Sequence, residues 1–473
     1  MDARVTPAVS DDQLTASVEK MRAEGEADAA IATFAHYHEL LCSGDEGVLR
    51  ESELEPVESL PDADELPADE RGARDAMGRA VVIKLNGGLG TSMGMTAPKS
   101  LLPVKDGLSF LDITVRQIVH LRESSGARLP LVLMNSFATR DSSLRALARY
   151  DELAVDGVPP DFVQSKVPKL AADSLEPIEW PDDPALEWAP PGHGDLYPAL
   201  LSSGMLDSLL DGGYEYAFVA NADNLGAVLD PRILAWFARE QIPLMMEVAD
   251  RTPADRKGGH VARRRDGGGL VLREVAQTAG EDLAAFQDIE RHRFFNTNTL
   301  WVHLPSLRAV LDERDGVLGL PMIVNRKTVD PSDPSSPAVL QLETAMGAAI
   351  DAFDGAQAIR VPKTRFAPVK TTDDLLALRS DAYVLRDDGR LEIAPERGGR
   401  APLVELDPRY CKLLRDFDER FAAGPPSLRA CERLKVHGDV RFGAGVAVVG
   451  DVAIEHDDDE KPRQIEDGAV LEG

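Results

Sequence analysis

A glycine-rich stretch with a lysine close behind it is the part of this sequence best suited to chemistry. Residues 85–100 hold four glycines between Gly87 and Gly94, followed by Lys99. Glycines have no Cβ, so their backbone N–H groups can close around phosphate oxygens, and a lysine adds a compact positive charge. No Gly-Lys-Ser/Thr follows the glycines, and Met93 holds the third position of a G-x-G-x-x-G pattern. The stretch therefore predicts a phosphate-binding loop that is neither a Walker A loop nor a dinucleotide fingerprint.

A carboxylate at the end of a later strand is the second chemical signal. Asp223 follows the apolar run 216–220, and a single such carboxylate suits a Mg²⁺ ion that bridges phosphate oxygens. An Asx-turn at the strand end is the alternative explanation for Asp223. For Lys99 taken by itself, a solvated surface lysine is the alternative explanation.

The elements that must position these residues alternate between strands and helices. Short β-branched or apolar runs at 80–85, 131–134 and 216–220 predict buried strands, and helical patterns occupy 111–121 and 141–150. This alternation predicts an α/β domain with a largely parallel sheet, on which ligands bind at the carboxyl ends of the strands. The loops with unusual residues fall at those ends.

The two ends of the chain have a different character. Apolar spacing predicts helix over residues 11–42, and the acidic, proline-containing stretch 44–75 predicts a weakly ordered surface connection. From Leu434 a six-residue period places apolar residues at Leu434, Val440, Val446 and Val452, and residues 458–463 interrupt it before Ile465 and Leu471. Such hexads are typical of a parallel β-helix, and an ordinary hairpin pair is the alternative.

The composition excludes several classes of protein. The 473 residues carry 52 Lys plus Arg against 81 Asp plus Glu, a formal net charge of −29, which disfavours nucleic-acid and anionic-membrane partners. No stretch approaches a membrane span, and the N-terminus lacks a secretory pattern. The three cysteines, Cys42, Cys411 and Cys431, form no C-x-x-C pair, so we expect no disulfide or zinc site and a cytoplasmic location.

Several motifs follow one another in order between residues 80 and 385, and the glycine-rich loop begins the series. The later segments are Pro130-Leu131-Val132-Leu133-Met134-Asn135-Ser136-Phe137, Gln164-Ser165, Pro190-Pro191-Gly192-His193-Gly194-Asp195, Asn221-Ala222-Asp223-Asn224-Leu225-Gly226, Phe295-Asn296-Thr297-Asn298, Gln341-Leu342-Glu343-Thr344-Ala345 and Phe366-Ala367-Pro368-Val369-Lys370-Thr371-Thr372. In this order the motifs resemble those of the eukaryotic-type UTP–glucose-1-phosphate uridylyltransferases (UDP-glucose pyrophosphorylases).

The resemblance implies a fold and a reaction. The fold would be a helical N-terminal segment (1–79), a doubly wound, Rossmann-like nucleotidyltransferase domain with a mixed, mainly parallel sheet (80–385), and a C-terminal left-handed parallel β-helix (386–473). The reaction would be reversible, Mg²⁺-dependent transfer of the uridylyl group of UTP to glucose 1-phosphate, giving UDP-glucose and pyrophosphate. The partners would be these small molecules, with a possible homo-oligomer formed through the β-helix.

The resemblance also implies roles for particular residues. Lys370 and Lys99 would be catalytic. The nucleotide would be bound by Leu85, Asn86, Gly87, Gly88, Lys99, Gln164, Gly192, Asp223 and Lys370, with Asp223 also the metal ligand. The sugar phosphate would be bound by Gly87, Gly88, His193, Asn221, Asn296 and Glu343. Taken singly, four of these have ordinary explanations: a surface side chain for Gln164, a loop hydrogen bond for His193, a solvated helix face for Glu343 and a salt-bridged strand end for Lys370.

Other readings of the motifs stay open. His260-Val261 and Arg326 depart from the family pattern, which leaves the details of the sugar-side loops open but not the reaction. Galactose 1-phosphate is not excluded as a substrate, because galactose differs from glucose at one hydroxyl. Thr91-Ser92-Met93-Gly94 differs from the Thr-Arg-Leu-Gly of the N-acetylglucosamine relatives, which disfavours that sugar. A non-catalytic nucleotide-sugar sensor is disfavoured because Lys99, Asp223 and Lys370 are all present. Two anionic substrates require local positive charge despite the net −29, which we expect from Lys84, Lys99, Lys166, Lys363, Arg365 and Lys370.

Overall fold

The computed structural model of the chain describes residues 11–44, 47–331, 333–458 and 461–473. The α-helices in these residues are α1 (Asp11–Ala23), α2 (Asp28–Cys42), α3 (Glu70–Met77), α4 (Phe110–Ser125), α5 (Arg140–Leu147), α6 (Leu196–Ser202), α7 (Met205–Asp211), α8 (Pro231–Arg239), α9 (Leu283–Phe286), α10 (Leu304–Glu313), α11 (Thr372–Arg379), α12 (Pro408–Cys411) and α13 (Leu414–Arg420). None of them is long and apolar enough to cross a membrane.

The strands fall into one large sheet and several small ones. They are β1 (Leu54–Pro56), β2 (Ala80–Asn86), β3 (Pro103–Lys105), β4 (Leu108–Ser109), β5 (Leu131–Asn135), β6 (Asp161–Val163), β7 (Val167–Pro168), β8 (Leu170–Ala171), β9 (Trp188–Ala189), β10 (Tyr216–Asn221), β11 (Leu244–Asp250), β12 (His260–Arg264), β13 (Leu270–Arg273), β14 (Phe294–His303), β15 (Met322–Thr328), β16 (Ala338–Thr344), β17 (Gln357–Arg360), β18 (Tyr383–Leu385), β19 (Leu391–Ile393), β20 (Leu403–Glu405), β21 (Ser427–His437), β22 (Val440–Phe442), β23 (Ala447–Glu455), β24 (Arg463–Ile465) and β25 (Val470–Glu472).

The large sheet has ten strands and is mainly parallel. Its path is β1-β12-β14-β10-β2-β5-β6, with β11 and β17 beside β14 and with β13 beside β12. In the described residues β1, β13 and β14 run against the direction of the other seven strands. Val81 and Ile83 of β2 belong to one buried core, and Ala80 and Val82 belong to another on the opposite face. Both faces are therefore buried, as in a doubly wound α/β domain, and the predicted α/β fold with a mixed, mainly parallel sheet is confirmed.

The strands and helices predicted from the sequence occur close to the expected places. The run 80–85 is β2, 131–134 is β5 and 216–220 is β10, each one residue longer than predicted, while the helix predicted at 141–150 ends earlier, as α5. Helix α4 contains the predicted 111–121. It begins at a capping box in which Ser109 accepts from the Asp112 N–H, and it ends at Gly126 with φ 73°. Local sequence signals set both ends of this helix.

The N-terminal region corrects two expectations. Residues 11–42 form two helices instead of one, because the turn between them contains Gly25 at φ 80°. Residues 45 and 46 lie outside the described residues. The rest of the stretch 44–75 is not a weakly ordered connection, since β1 pairs with β12 in the large sheet and Leu54 is fully buried. The acidic residues that suggested solvent exposure include Glu51, which instead pairs with the buried Arg273 at 2.6 Å. The division of the chain at residues 79 and 385 stays a prediction.

The C-terminal strands stack in parallel. Strands β20, β21, β23 and β25 form one sheet and β22 and β24 another, and every pairing is parallel, which rules out the hairpin alternative. Leu434 pairs with Val452, three six-residue periods further along the chain. Val448 pairs with Leu471, so the interruption shifts the register by five more residues. That interruption includes residues 459 and 460, which lie outside the described residues.

Candidate active site

A cleft of about 330 Å³ lies at the carboxyl ends of β2, β5 and β10. This volume is within the range of small-ligand sites. Most of the residues predicted to bind substrate line it together: Leu85, Asn86, Gly87, Gly88, Lys99, Gln164, Gly192, His193, Asn221 and Asp223. Asn296, Glu343 and Lys370 are not among its lining residues.

Buried hydrogen bonds fix the start of the glycine-rich loop. The Asn86 amide donates to Asn135 Oδ1 and to Ser143 Oγ, both at 2.7 Å, and Ser136 Oγ donates to the Gly87 carbonyl at 3.0 Å. The side chain of Asn86 is therefore committed to the protein, which leaves its backbone for a ligand. This polar network behind the loop was not predicted from the sequence.

The backbone conformation favours glycine at some positions of the loop but not at others. Gly90 and Gly94 have φ of 68° and 71°, so their backbone conformation favours glycine. Gly88 has no positive φ, and a Cβ built on it would meet nothing within 4 Å. The fold by itself therefore does not require glycine at position 88.

Lys99 and Asp223 pair with each other across the cleft. Lys99 Nζ lies 2.6 Å from Asp223 Oδ2, and the two side chains are 16% and 22% exposed. The Asx-turn considered for Asp223 is made by its neighbour, because the Gly226 N–H donates to Asn224 Oδ1 at 3.2 Å. An ammonium and a carboxylate at contact distance can each be recruited by a ligand of opposite charge, phosphate for Lys99 and a cation for Asp223.

His193 is held as a neutral donor. Its Nδ1 accepts the Met346 N–H at 3.0 Å, and burial lowers the pKa of its imidazole to about 4. A neutral ring whose Nδ1 accepts carries its proton on Nε2. His193 can therefore donate one hydrogen bond in the cleft but brings no charge. The turn that carries it is tight, since Gly192 has φ 80° and a Cβ there would lie 2.5 Å from the Thr344 carbonyl oxygen.

Gln164 lies directly against the glycine-rich loop. A Cβ on Gly87 would lie 3.0 Å from Gln164 Oε1, so the amide packs over the glycine backbone. The Gln164 backbone N–H donates to the Asn135 carbonyl at 2.8 Å. The surface-side-chain alternative is excluded for this glutamine, since it lines the cleft.

The three predicted residues outside the cleft occupy separate surroundings. Lys370 is exposed, with Nζ 5.9 Å from the Phe366 ring centre, and it lines a neighbouring cavity of about 520 Å³. Glu343 is on β16 and not on a helix, and burial raises the pKa of its carboxyl. Asn296 on β14 is buried and donates to Asn298 Oδ1 at 2.8 Å.

The expected local excess of positive charge is largely offset by carboxylates, which corrects that expectation. Lys166 pairs with Glu24, Lys363 with Asp255 and Arg365 with Glu247, at 2.5, 2.6 and 2.6 Å. In the described part of the chain the ammonium of Lys370 has no carboxylate within 4 Å. The ordinary explanation of Lys370 as a salt-bridged lysine is therefore not supported in the described residues.

Lys84 is a buried lysine behind the cleft. Its Nζ donates to the Ala227 carbonyl at 2.9 Å, and burial, with a further contribution from Arg365, lowers the pKa of Lys84 to about 7. Asn224 bonds in turn to the Arg365 carbonyl and the Ala367 N–H, at 3.1 and 3.0 Å. These bonds hold the loop after β10, which carries Asp223, against the segment that leads to Lys370.

The described residues contain no group of three or more His, Cys, Asp or Glu side chains that could bind a metal ion without help from a ligand. Asp223 is the single acidic residue that lines the cleft in these residues. Mg²⁺ in phosphate-transfer sites is held by one or two carboxylates together with substrate phosphates. The cleft fits an ion of that kind, and the Lys99 ammonium shows that the Asp223 carboxylate accepts a cation.

Comparisons with known proteins agree on one family. The family model described as UTP--glucose-1-phosphate uridylyltransferase matches residues 32–448. The UTP--glucose-1-phosphate uridylyltransferase of Solanum tuberosum is 42% identical over 418 residues, which are 88% of this chain and 84% of that protein. The probable enzyme of that name from Schizosaccharomyces pombe is 40% identical over 402 residues, 85% of this chain and 77% of that protein.

Solved structures give the same result. A mutant UDP-glucose pyrophosphorylase from Leishmania major, in complex with UDP-glucose, superposes with a TM-score of 0.91 at 46% identity and covers 98% of this chain and 99% of that one. The UDP-glucose phosphorylase structure from Trypanosoma brucei superposes with a TM-score of 0.89 at 46% identity over 98% of both chains.

Proposed function

The chain belongs to the family of UTP–glucose-1-phosphate uridylyltransferases, and from that membership we propose how its cleft works. The protein is a nucleotidyltransferase that transfers the uridylyl group of UTP to glucose 1-phosphate, giving UDP-glucose and pyrophosphate. The observation that carries the assignment of the site is that a single cleft gathers the glycine-rich loop, Lys99, Gln164, His193 and Asp223.

The chemistry makes positioning and charge the main tasks of the protein. The phosphate of glucose 1-phosphate is already an anion when it attacks the α-phosphorus of UTP, so no general base is needed. The bond from that oxygen to phosphorus forms as the bond to pyrophosphate breaks. Two polyanions must be brought together, and their negative charge must be stabilised in the transition state.

We assign the nucleotide to the side of the cleft formed by residues 85–88. The backbone there is held from behind by Asn86 and Ser136, so its free N–H groups can face the phosphates without reorganisation. Lys99 leaves Asp223 for the phosphates, since a polyanion attracts the ammonium more strongly than one carboxylate does. Gln164 and Gly192 read the uracil through amide groups.

Mg²⁺ is assigned to Asp223. An ion held by Asp223 would supply positive charge that offsets the negative charge of the phosphates. Departure of Lys99 toward the phosphates frees Asp223 Oδ2, so the exchange of partners links metal binding to nucleotide binding. The check is a titration of Mg²⁺ in the presence of both substrates, for the wild type and for Asp223→Asn. We expect Asp223→Asn to need a higher Mg²⁺ concentration for its half-maximal rate of UDP-glucose formation. An unchanged concentration would remove Asp223 from the metal site.

The glucose 1-phosphate is assigned to the side of the cleft that carries His193 and Asn221. Neutral His193 donates through Nε2 to a phosphate or hydroxyl oxygen and adds no charge of its own. Asn296 and Glu343 supply further hydrogen bonds to the sugar hydroxyls, because a sugar is recognised by several polar groups at once. Glu343 lies close to the turn that carries His193, since a Cβ on Gly192, the preceding residue, would lie 3.1 Å from Glu343 Cβ.

Lys370 is proposed as the lysine that neutralises the α-phosphate while the bonds change. Its ammonium is exposed, and the segment that precedes it is hydrogen-bonded to Asn224, next to Asp223. From its neighbouring cavity the side chain must turn toward the cleft when substrates bind.

The test is release of pyrophosphate with UTP, Mg²⁺ and a panel of glucose, galactose and N-acetylglucosamine 1-phosphates. We expect release with glucose 1-phosphate and a loss of turnover by orders of magnitude in Lys370→Ala, with the melting temperature unchanged because the side chain is exposed. Lys435→Ala, an exposed lysine on β21, is the matched control. No release with any sugar would overturn the function, and full activity of Lys370→Ala would overturn the role of that lysine.

The parallel strands of the C-terminal region are proposed to form a left-handed β-helix through which copies of the chain associate. Support comes from the register of three six-residue periods and from Val470, an apolar residue of the last strand that is 59% exposed. A monomeric mass in light scattering at micromolar concentration would overturn the association.

A cytoplasmic location is proposed because all three cysteines are free, and cell fractionation tests it.

A further inference from the structure

We propose that Asp195 is a positioning residue for recognition of the base, because its buried carboxylate ties Gln164 to the turn that carries Gly192 and His193. The inference rests on the proposed function, in which Gln164 and Gly192 read the uracil. It assigns the preference of the enzyme for uracil to a residue that does not line the cleft.

The central contact is a short hydrogen bond between two loops. Asp195 is 4% exposed, and its Oδ2 accepts the backbone N–H of Ser165 at 2.6 Å. Ser165 follows Gln164 directly, and the N–H of Gln164 itself is bonded to the Asn135 carbonyl at 2.8 Å. The backbone of Gln164 is thus held on one side by the large sheet and on the other by Asp195.

The turn that carries Asp195 is itself rigid. Residues His193–Asp195 form one 3₁₀ turn, and the Thr344 N–H donates to the Pro191 carbonyl at 2.9 Å. A Cβ on Gly194 would collide with Thr344 Oγ1, so the turn packs against β16 with no space for a side chain. Because the turn cannot shift, the bond from Asp195 to Ser165 sets the spacing between Gln164 and Gly192.

The N-terminal helices hold the next residue in the same way. Glu26, between α1 and α2, accepts the Lys166 N–H at 3.3 Å, and Glu24 pairs with the Lys166 ammonium at 2.5 Å. Residues 164–166 are therefore bonded to the sheet, the His193 turn and the helical pair in succession. Of the three carboxylate contacts, the bond to Asp195 is the buried one, and its donor Ser165 directly follows Gln164.

Asp195 carries a buried carboxyl that has no cationic partner among the residues that the structure describes. No lysine or arginine side chain pairs with Asp195 in the described residues, and burial raises the pKa of its carboxyl to about 7. A buried carboxylate without a cation is costly. The bond from the Ser165 N–H offsets part of this cost and at the same time fixes the position of that residue.

The spacing between Gln164 and Gly192 matters because uracil and cytosine present different hydrogen-bond donors and acceptors. Uracil offers an N–H donor at N3 beside a carbonyl at C4, while cytosine offers an acceptor at N3 beside an amino donor. A site with donors and acceptors at fixed positions rejects a mismatched partner, because buried polar groups are then left unpaired. If Gln164 is free to move, its amide can turn over and accept the edge of cytosine.

The test compares UDP with CDP as competitive inhibitors against UTP, which requires no turnover of a cytidine nucleotide. We expect the ratio of the inhibition constants, CDP over UDP, to fall about tenfold or more in Asp195→Ala. Asp195→Asn keeps an acceptor oxygen and should restore most of the ratio. Asp381→Asn is the control, since Asp381 accepts the Leu428 N–H at 2.9 Å in the C-terminal region, and it should leave the ratio unchanged.

An unchanged ratio in Asp195→Ala, with both constants rising together and the melting temperature falling, would show a structural role and overturn the inference. If Asp195→Ala does not fold, Ser165→Pro replaces it, because proline removes the donor N–H. A collapsed ratio in Ser165→Pro, together with a wild-type ratio in Asp195→Asn at alkaline pH, supports the inference. An unchanged ratio in Ser165→Pro overturns it. Failure of the wild-type protein to form UDP-glucose would instead overturn the proposed function.

Discussion

The buried ion pair between Glu247 and Arg365 offers the sharpest energetic test of how the site is held. Glu247 on β11 is fully buried, with Oε1 and Oε2 accepting from Arg365 at 2.6 and 2.8 Å. Trp301 Nε1 donates to the same carboxylate at 3.0 Å. Arg365 begins the segment that leads to Lys370, so the pair stabilises both the fold and the placement of that lysine.

The expected magnitude follows from the burial. Glu247→Gln keeps the acceptor for Trp301 but leaves the guanidinium without a counter-charge, and removal of one partner of a buried pair costs about 3–5 kcal/mol. Arg365→Met should cost a similar amount, because it leaves an unpaired buried carboxylate. The double variant removes both charges and should cost only about 1–2 kcal/mol, since apolar or neutral replacement of a whole pair is often close to neutral.

Urea unfolding of the four proteins of this cycle, followed by tryptophan fluorescence and by loss of activity, measures the coupling. We expect a coupling free energy of at least about 2 kcal/mol, little affected by about 0.5 M salt because the pair is shielded from solvent. Additive single effects, within about 0.5 kcal/mol, would refute the reasoning. So would single variants as stable as the wild type.

Three further outcomes can be measured with single substitutions. Gly88→Ala should melt like the wild type, since a Cβ there meets nothing within 4 Å, but should raise KM for UTP at least about tenfold; an unchanged KM would show that no ligand approaches this backbone. Lys84 is held neutral in the folded protein above its lowered pKa of about 7, whereas the unfolded chain keeps it protonated up to its ordinary pKa. The wild type should therefore gain stability relative to Lys84→Met as pH rises from about 7 toward 10, by up to about 1.4 kcal/mol per pH unit, and a pH-independent difference in urea midpoints would contradict this. Because the pKa of His193 is lowered to about 4, His193 does not titrate between about pH 5.5 and 8. The pH profile of kcat/KM should therefore have the same shape in this range for the wild type and for His193→Gln. A kinetic pKa of about 6.5 that is present in the wild type and lost in the variant would disprove a neutral His193.

Much of the fold was predictable because it depends on neighbouring residues. The β-branched run of β2, the capping box of α4 and the positive-φ glycines of the loop are set by interactions within a few positions. The C-terminal register was also predictable, because Leu434 and Val452 are separated by three whole periods of a repeat. The region 44–75 was misjudged because its charge suggested solvent, while Leu54 and Glu51 have buried partners far along the chain.

The order and types of the residues specify the kinds of group present: a loop that can bind phosphate, a carboxylate at a strand end, a set of lysines, and motifs specific enough to identify a family. Which of these groups meet depends on how the chain folds. The fold joins Lys99 to Asp223 across 124 positions, buries Lys84, leaves Lys370 in a neighbouring cavity and bonds Asp195 to Ser165. The physical reason is that ionic pairing and burial depend on distance in space and on exclusion of water, and a side chain's type records neither.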